Sequence, residues 1–182
     1  MSLFKNLFGK KEEEPKPFSR NVLDLSMGYI FEYDLRTWEV TGEYEYDWGD
    51  EEFSKEYKVS DGKDSFYLAV DEDDEVELLW CQKVPMRKLG AEIAKNISEG
   101  SAPPETIIYE GQSYFLDEES PGYFNDMTKG KNDDWQEFIA WDYYNEDETL
   151  NLTIEQWGER SFEASWGKVI SEFEISDILP RK

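Results

Sequence analysis

The feature that most constrains this fold is a strict alternation of aromatic and acidic residues. Tyr44, Tyr46 and Trp48 are separated from one another by single acidic residues. Because successive side chains of a strand point to opposite faces, this pattern predicts a half-buried strand with an acidic outer face. The same period of two recurs from Tyr29 to Trp80, so the first half reads as a meander of five or six strands.

The period changes once, over residues 85–100. Apolar residues there fall on one face at helical spacing: Met86, Leu89, Ile93, Ala94 and Ile97. Pro85 stands near the first position of this segment and Gly100 just past its end, as is typical of helix termini. The pattern predicts one helix from about 86 to 98.

The second half of the chain repeats the pattern of the first. Residues Ile108–Leu116 line up with Glu32–Val40, and Glu137 lines up with Glu56. The aromatic and apolar positions coincide over the whole half, which predicts an internal duplication.

These patterns together predict a mostly β fold. Two related antiparallel β units, 25–84 and 105–180, are expected to form one combined domain over 25–180, joined by the helix of residues 85–100. Packed as a sandwich or a partly open barrel, the two units would bury their aromatic faces against each other.

The charge and the missing residue types exclude several classes of function. The net charge is −24, from 43 acidic and 19 basic residues, so the surface repels nucleic-acid phosphates and favours basic partners. The chain has no histidine, which excludes His-dependent triads and His metal ligands. A single cysteine, Cys81, permits neither an internal disulfide nor a cysteine zinc site, and we expect no cofactor.

A short amphipathic and basic segment and linker make up residues 1–17. The apolar side chains Leu3, Phe4, Leu7 and Phe8 fall at helical spacing between lysines, as in segments that contact an anionic membrane or a partner groove. No stretch reaches the roughly 20 apolar residues that span a bilayer. We therefore expect a cytoplasmic location, peripheral at the membrane if this segment docks there.

Seven residues form a candidate groove for a cation or a basic partner. They are Tyr44, Tyr46, Trp48, Glu56, Trp135, Glu137 and Trp141. Aromatic faces beside carboxylates suit ammonium and guanidinium groups through cation–π attraction and charge pairing. The alternative is that the rings form the core while the acids face water.

The abundant carboxylates leave two further alternatives open. If Glu56 and Glu137 shared a pocket, burial would raise the pKa of each, as a catalytic acid requires. The acidic turns at 71–75 and 117–119 offer oxygen ligands for a weak divalent-ion site, although neither follows the spacing of an EF-hand loop.

Three segments of the first half and one of the second carry a family resemblance. The segments are Trp38–Gly42, Lys55–Val59, Phe66–Val70 and Ile108–Leu116. They resemble the bacterial family catalogued as domain of unknown function 4178, over roughly residues 25 to 180. The resemblance implies an association with membrane or envelope-stress components, but it implies no established activity and carries over no catalytic residue.

The sequence therefore favours a non-enzymatic acidic interaction module. It would bind a basic protein or peptide through its β body, or act at the membrane surface through its N-terminus, and the resemblance adds a role in envelope stress. The alternatives are a protein that binds a small cation, either a polyamine or a divalent ion, and a carboxylate-based enzyme. The sequence does not specify an oligomeric state.

Overall fold

Eleven antiparallel strands form one continuous sheet. The computed structural model describes residues 20–72 and 75–180. The strands are β1 (Tyr29–Tyr33), β2 (Arg36–Gly49), β3 (Glu52–Ser60), β4 (Ser65–Glu72), β5 (Val76–Lys83), β6 (Thr106–Tyr109), β7 (Gln112–Asp126), β8 (Gln136–Tyr144), β9 (Leu150–Gly158), β10 (Ser161–Ile170) and β11 (Ser176–Pro180). The prediction of a mostly β fold is confirmed.

Eight of these strands close into a ring. Their order around it is β2–β3–β4–β5–β10–β9–β8–β7, and the ring closes because β7 also pairs with β2. Strands β1 and β11 continue the sheet outward from β2, and β6 continues it outward from β7. The halves thus join edge to edge at three places, β5–β10, β2–β7 and β1–β11, instead of facing each other as two separate sheets.

The two longest strands, β2 and β7, make the closure possible. The first part of β2 pairs with β1, and its later part, from Tyr44 to Asp47, pairs with β7. Both strands change register at the same place in their pairing with the next strand, at Val40/Gly42 in β2 and at Leu116/Glu118 in β7. Such bulges bend and twist a strand. They allow β2 and β7 each to pair first with its hairpin partner, β1 or β6, and then with each other.

The apolar core is divided into three clusters, and each contains residues of both halves. The first, around Tyr57 and Trp80, packs strands β2 to β5 against β1, β11 and the turn at Val22. The second, around Tyr143, packs β7 to β10 against β6 and the helix. Both lie outside the ring, while the third cluster, which includes Tyr46 and Phe138, lies within it. This differs from the sequence expectation of one aromatic interior.

The predicted helix is interrupted. A 3₁₀ turn covers Met86–Lys88, and the α-helix, α1, runs only from Ile93 to Ser98. Gly90 between them has a φ of +150°, which is outside the helical region, and a Cβ there would lie 3.1 Å from Ile93 Cδ1. Leu89, before this glycine, and Ile93, after it, both belong to the second core cluster.

None of the helices in the described part of the chain is both long and apolar enough to span a bilayer.

Candidate functional site

The ring encloses a cavity of about 790 Å³, which we call the lumen. Every one of the eight ring strands contributes to its wall. The volume lies within the range of about 300–1,000 Å³ typical of small-molecule sites. The lumen extends to the end of the ring where β3 and β5 begin, so that end is its mouth.

The wall of the lumen is strongly acidic. Among the described residues that line it, ten carry a carboxylate and one, Lys55, carries a positive charge. The ten are Glu52, Glu56, Asp71, Glu77, Asp117, Glu118, Glu119, Asp142, Glu148 and Glu155. Most of them are exposed around the mouth, whereas Glu56, Asp142 and Glu155 are inside; we call these three the inner carboxylates. Walls of one sign focus the field and concentrate counter-ions, here cations.

Glu56 points into the lumen because it alternates with buried Tyr57 on β3. The Tyr46 hydroxyl donates a hydrogen bond to Glu56 Oε1 over 3.3 Å. Burial raises the pKa of Glu56 to about 7, although the nearby charge of Lys83 acts in the opposite direction. A carboxyl group with this pKa exchanges its proton readily near neutral pH.

Asp142 alternates in the same way with Trp141 and Tyr143, which face the second core cluster. Its Oδ1 accepts a hydrogen bond from Thr153 Oγ1 at 2.5 Å and a longer one from Asn151 Nδ2 at 3.4 Å. Burial raises the pKa of Asp142, and these two hydrogen bonds partly offset the increase.

Glu155 is paired with a lysine. Lys83 Nζ lies 3.1 Å from Glu155 Oε2 and 3.1 Å from Glu163 Oε2, and it also lies 5.5 Å from the centre of the Tyr67 ring. Burial disfavours the charged ammonium, but Glu155, Glu56 and Glu163 more than compensate and raise the pKa of Lys83 above its ordinary value. We call Lys83, Glu155, Glu163 and Tyr67 together the lysine subsite.

Aromatic side chains pack together inside the ring of strands, and two of them, Tyr46 and Trp48, also line the lumen. Tyr46 stacks on Trp48 with ring centres 5.6 Å apart, and Phe138 stacks on Trp157 at 4.7 Å. The Trp48 indole N–H donates to Ser54 Oγ over 2.8 Å. The lysine subsite lies away from the mouth, where β5 ends and β10 begins.

The carboxylates are spread along the wall rather than gathered at one point. Within residues 20–72 and 75–180, no three His, Cys, Asp or Glu side chains lie close enough to hold one metal ion. The charges of a ligand that uses several of them must therefore be spread out as well.

The structure brings together only part of the groove predicted from the sequence. Tyr44, Tyr46 and Trp48 lie within the ring interior and Glu56 in the lumen. Trp141 instead belongs to the second core cluster, with 4% of its surface exposed.

Two other predicted groove residues, Trp135 and Glu137, lie at the start of β8 and are exposed. The bulges align Glu56 with Ala140, not with Glu137, so the expected pairing of Glu56 and Glu137 is a misalignment by three residues. The predicted N-terminal residues Leu3, Phe4, Leu7 and Phe8 lie outside the described residues.

The seven groove residues predicted from the sequence include neither Asp142 nor Glu155 nor Lys83. Asp142 and Glu155 each follow a buried apolar residue, a signal that places them on the opposite face of their strands. Alternation gives the face, but it does not tell that this face is enclosed by seven other strands.

Fold and site define a class of protein: an antiparallel ring of eight strands around an acidic lumen. The chain belongs to the family described as domain of unknown function (DUF4178), whose model matches residues 26–172. It is similar to an uncharacterized protein of Aquifex aeolicus (strain VF5), with 29% identity over 179 residues, 97% of this chain and 96% of that protein. No solved structure matches.

Proposed function

We propose that the protein binds a linear organic polycation of the polyamine type in its lumen. The observation that carries this proposal is a half-open cavity whose wall has ten carboxylates against one positive side chain. Because no three His, Cys, Asp or Glu side chains among the described residues could hold one metal ion, separated ammonium groups are favoured over a single divalent ion. The proposed ligand is therefore the small cation considered in the sequence analysis, now restricted to polyamines. We also propose a cytoplasmic location for the protein.

The inner carboxylates supply the anchoring contacts in this proposal. Glu56 and Asp142 are half-buried, and they accept hydrogen bonds from the neutral side chains of Tyr46, Thr153 and Asn151. A ligand ammonium would bring a positive charge into direct contact with these carboxylates, and hydrogen bonds between ionised groups are stronger than neutral ones. The exposed acids of the mouth would steer the cation inward.

Calorimetric titration with spermidine tests the proposal. Wild-type protein should bind spermidine, and E56Q should bind about tenfold or more weakly, because hydrogen bonds to charged groups contribute ~1.5–3 kcal/mol. E137Q is the matched control, since it makes the same chemical change on an exposed residue outside the lumen. Equal weakening by the two substitutions would point to non-specific attraction and would reject the lumen as the site.

A basic protein partner at the mouth is the second candidate. It is favoured by the exposure of the acidic rim, which includes Glu52, Glu77 and Glu148. It corresponds to the interaction module predicted from the sequence. Affinity capture with wild-type protein and with a variant in which these three residues are changed to Gln tests it: loss of the same partner supports the candidate, and unchanged capture rejects it.

A further inference from the structure

Lys83 already shows how an ammonium group binds in this protein. Its Nζ is held by Glu155 and Glu163, each at 3.1 Å, above the ring face of Tyr67. Two carboxylates and an aromatic face are the groups that recognise a free alkylammonium ion. Glu155 is 8% exposed, whereas the Lys83 and Glu163 side chains are 35% and 54% exposed, so the ammonium bridges one buried and one exposed carboxylate.

The lysine subsite lies where a ligand in the lumen would end. Lys83 is the last residue of β5 and Glu163 is near the beginning of β10, which places them at the end away from the mouth. Glu155 belongs both to this subsite and to the lumen wall. A cation that enters from the mouth therefore reaches Glu56 and Asp142 but competes with Lys83 for Glu155.

We propose that Lys83 is a tethered ammonium group that occupies a built alkylammonium subsite and thereby determines specificity. It ends the ligand path at Glu155 and removes one carboxylate charge from those that the ligand can use. This inference rests on the proposed function for its consequence in polyamine binding, but the subsite itself can be tested without any polyamine.

Chemical rescue tests the subsite. K83A removes the three outer carbons and the ammonium of the side chain, which together correspond to n-propylammonium. The thermal midpoint of K83A should fall and should be recovered by n-propylammonium chloride, but not by sodium chloride at equal ionic strength or by n-propanol. K83R, which keeps the charge, should show no such recovery.

Lys168 provides the matched control. Its Nζ lies 5.5 Å from the Tyr33 ring centre, the same distance as in the lysine subsite, and it has no carboxylate within salt-bridge distance among the described residues. K168A should therefore gain nothing specific from n-propylammonium. Equal recovery of K168A and K83A, or no recovery of K83A, would overturn the subsite.

Spermidine titration of K83M tests the competition, and K83M also serves if K83A does not fold. Freeing Glu155 should raise the affinity for spermidine about tenfold, which corresponds to ~1.4 kcal/mol. Unchanged or weaker binding by folded K83M would overturn the competition. If neither wild-type protein nor K83M binds spermidine, but n-propylammonium restores the thermal midpoint of K83A, the proposed function is rejected and the alkylammonium subsite is supported.

Discussion

Leu35 occupies a backbone conformation that suits glycine. It lies in the two-residue turn between β1 and β2 with a φ of 59°, and its side chain is fully exposed. The turn between β6 and β7 has Gly111 at the corresponding position, with a φ of 80°. Both hairpins thus need a left-handed residue at this position, and only the second one has glycine there.

Exchanging these residue types should move stability in opposite directions. L35G should stabilise the protein by about 1 kcal/mol, because a left-handed residue with a Cβ costs roughly 1–2 kcal/mol and the Leu35 side chain buries nothing. G111L should destabilise it by a similar amount. Urea unfolding of both variants checks the prediction. A loss of stability in L35G would contradict the premise that the exposed Leu35 side chain contributes nothing to stability.

Glu56 should make stability depend on pH. Its pKa is 4.5 in the unfolded chain and about 7 in the folded protein, so the folded state binds an extra proton between these values. The contribution of Glu56 to the free energy of unfolding is greatest below pH 4.5. It decreases as the pH rises through 7, by up to about 3 kcal/mol in total.

E56Q should remove this decrease, whereas E137Q should keep it. Denaturant unfolding of wild type, E56Q and E137Q at intervals from pH 5 to pH 8 measures the difference between the profiles. Parallel profiles for wild type and E56Q would show that Glu56 ionises as an ordinary surface carboxyl group.

At the scale of elements, Gly122 allows β7 to close on β2. A Cβ at this position would lie 2.9 Å from Trp48 Cε3 and 3.1 Å from the Asp47 carbonyl oxygen. The indole of Trp48 thus packs directly over the β7 backbone where the two strands meet. Because one of these neighbours is backbone, the strain cannot be relieved by a side chain alone.

G122A should therefore destabilise the protein by about 1–3 kcal/mol, as is usual for overpacking. It should also speed amide hydrogen exchange in the segment from Tyr44 to Asp47, which pairs with β7. S120A, two residues away on the same face of β7, is the control and should have little effect on either measurement. Faster amide exchange elsewhere, but not in this segment, would show that Gly122 is not needed for the pairing of β7 with β2.

Local patterns in the sequence were sufficient to predict the strands but not the ring. Alternation around Tyr44 and Tyr46 gave the strand and its two faces, since that signal lies within a few residues. The pairing of Tyr46 with Phe124 joins residues far apart in the chain, and no local pattern specifies it. The same limit explains the misaligned Glu56 and Glu137, because the bulges that set the register carry no distinctive sequence signal.

The whole molecule should not separate into two folding units. The halves share the hydrogen-bonded pairs β2–β7, β5–β10 and β1–β11, so cutting the chain between α1 and β6 would leave each fragment without the partners of all three pairs. Neither residues 20–100 nor residues 105–180 should unfold cooperatively alone, while a mixture should show a single transition. A full chain cut at the same position after folding is the control, and cooperative unfolding of either fragment alone would contradict the prediction.

A wall of strands that is hydrogen-bonded all the way round has a fixed circumference. It cannot widen for a ligand without breaking a full row of backbone hydrogen bonds. A ligand in the lumen would therefore enter and leave by side-chain rotation at the mouth. Such rotations take picoseconds to nanoseconds, whereas backbone opening takes microseconds or longer. We therefore expect the molecule to act as a rigid barrel that selects a ligand by its length and by the spacing of its charges.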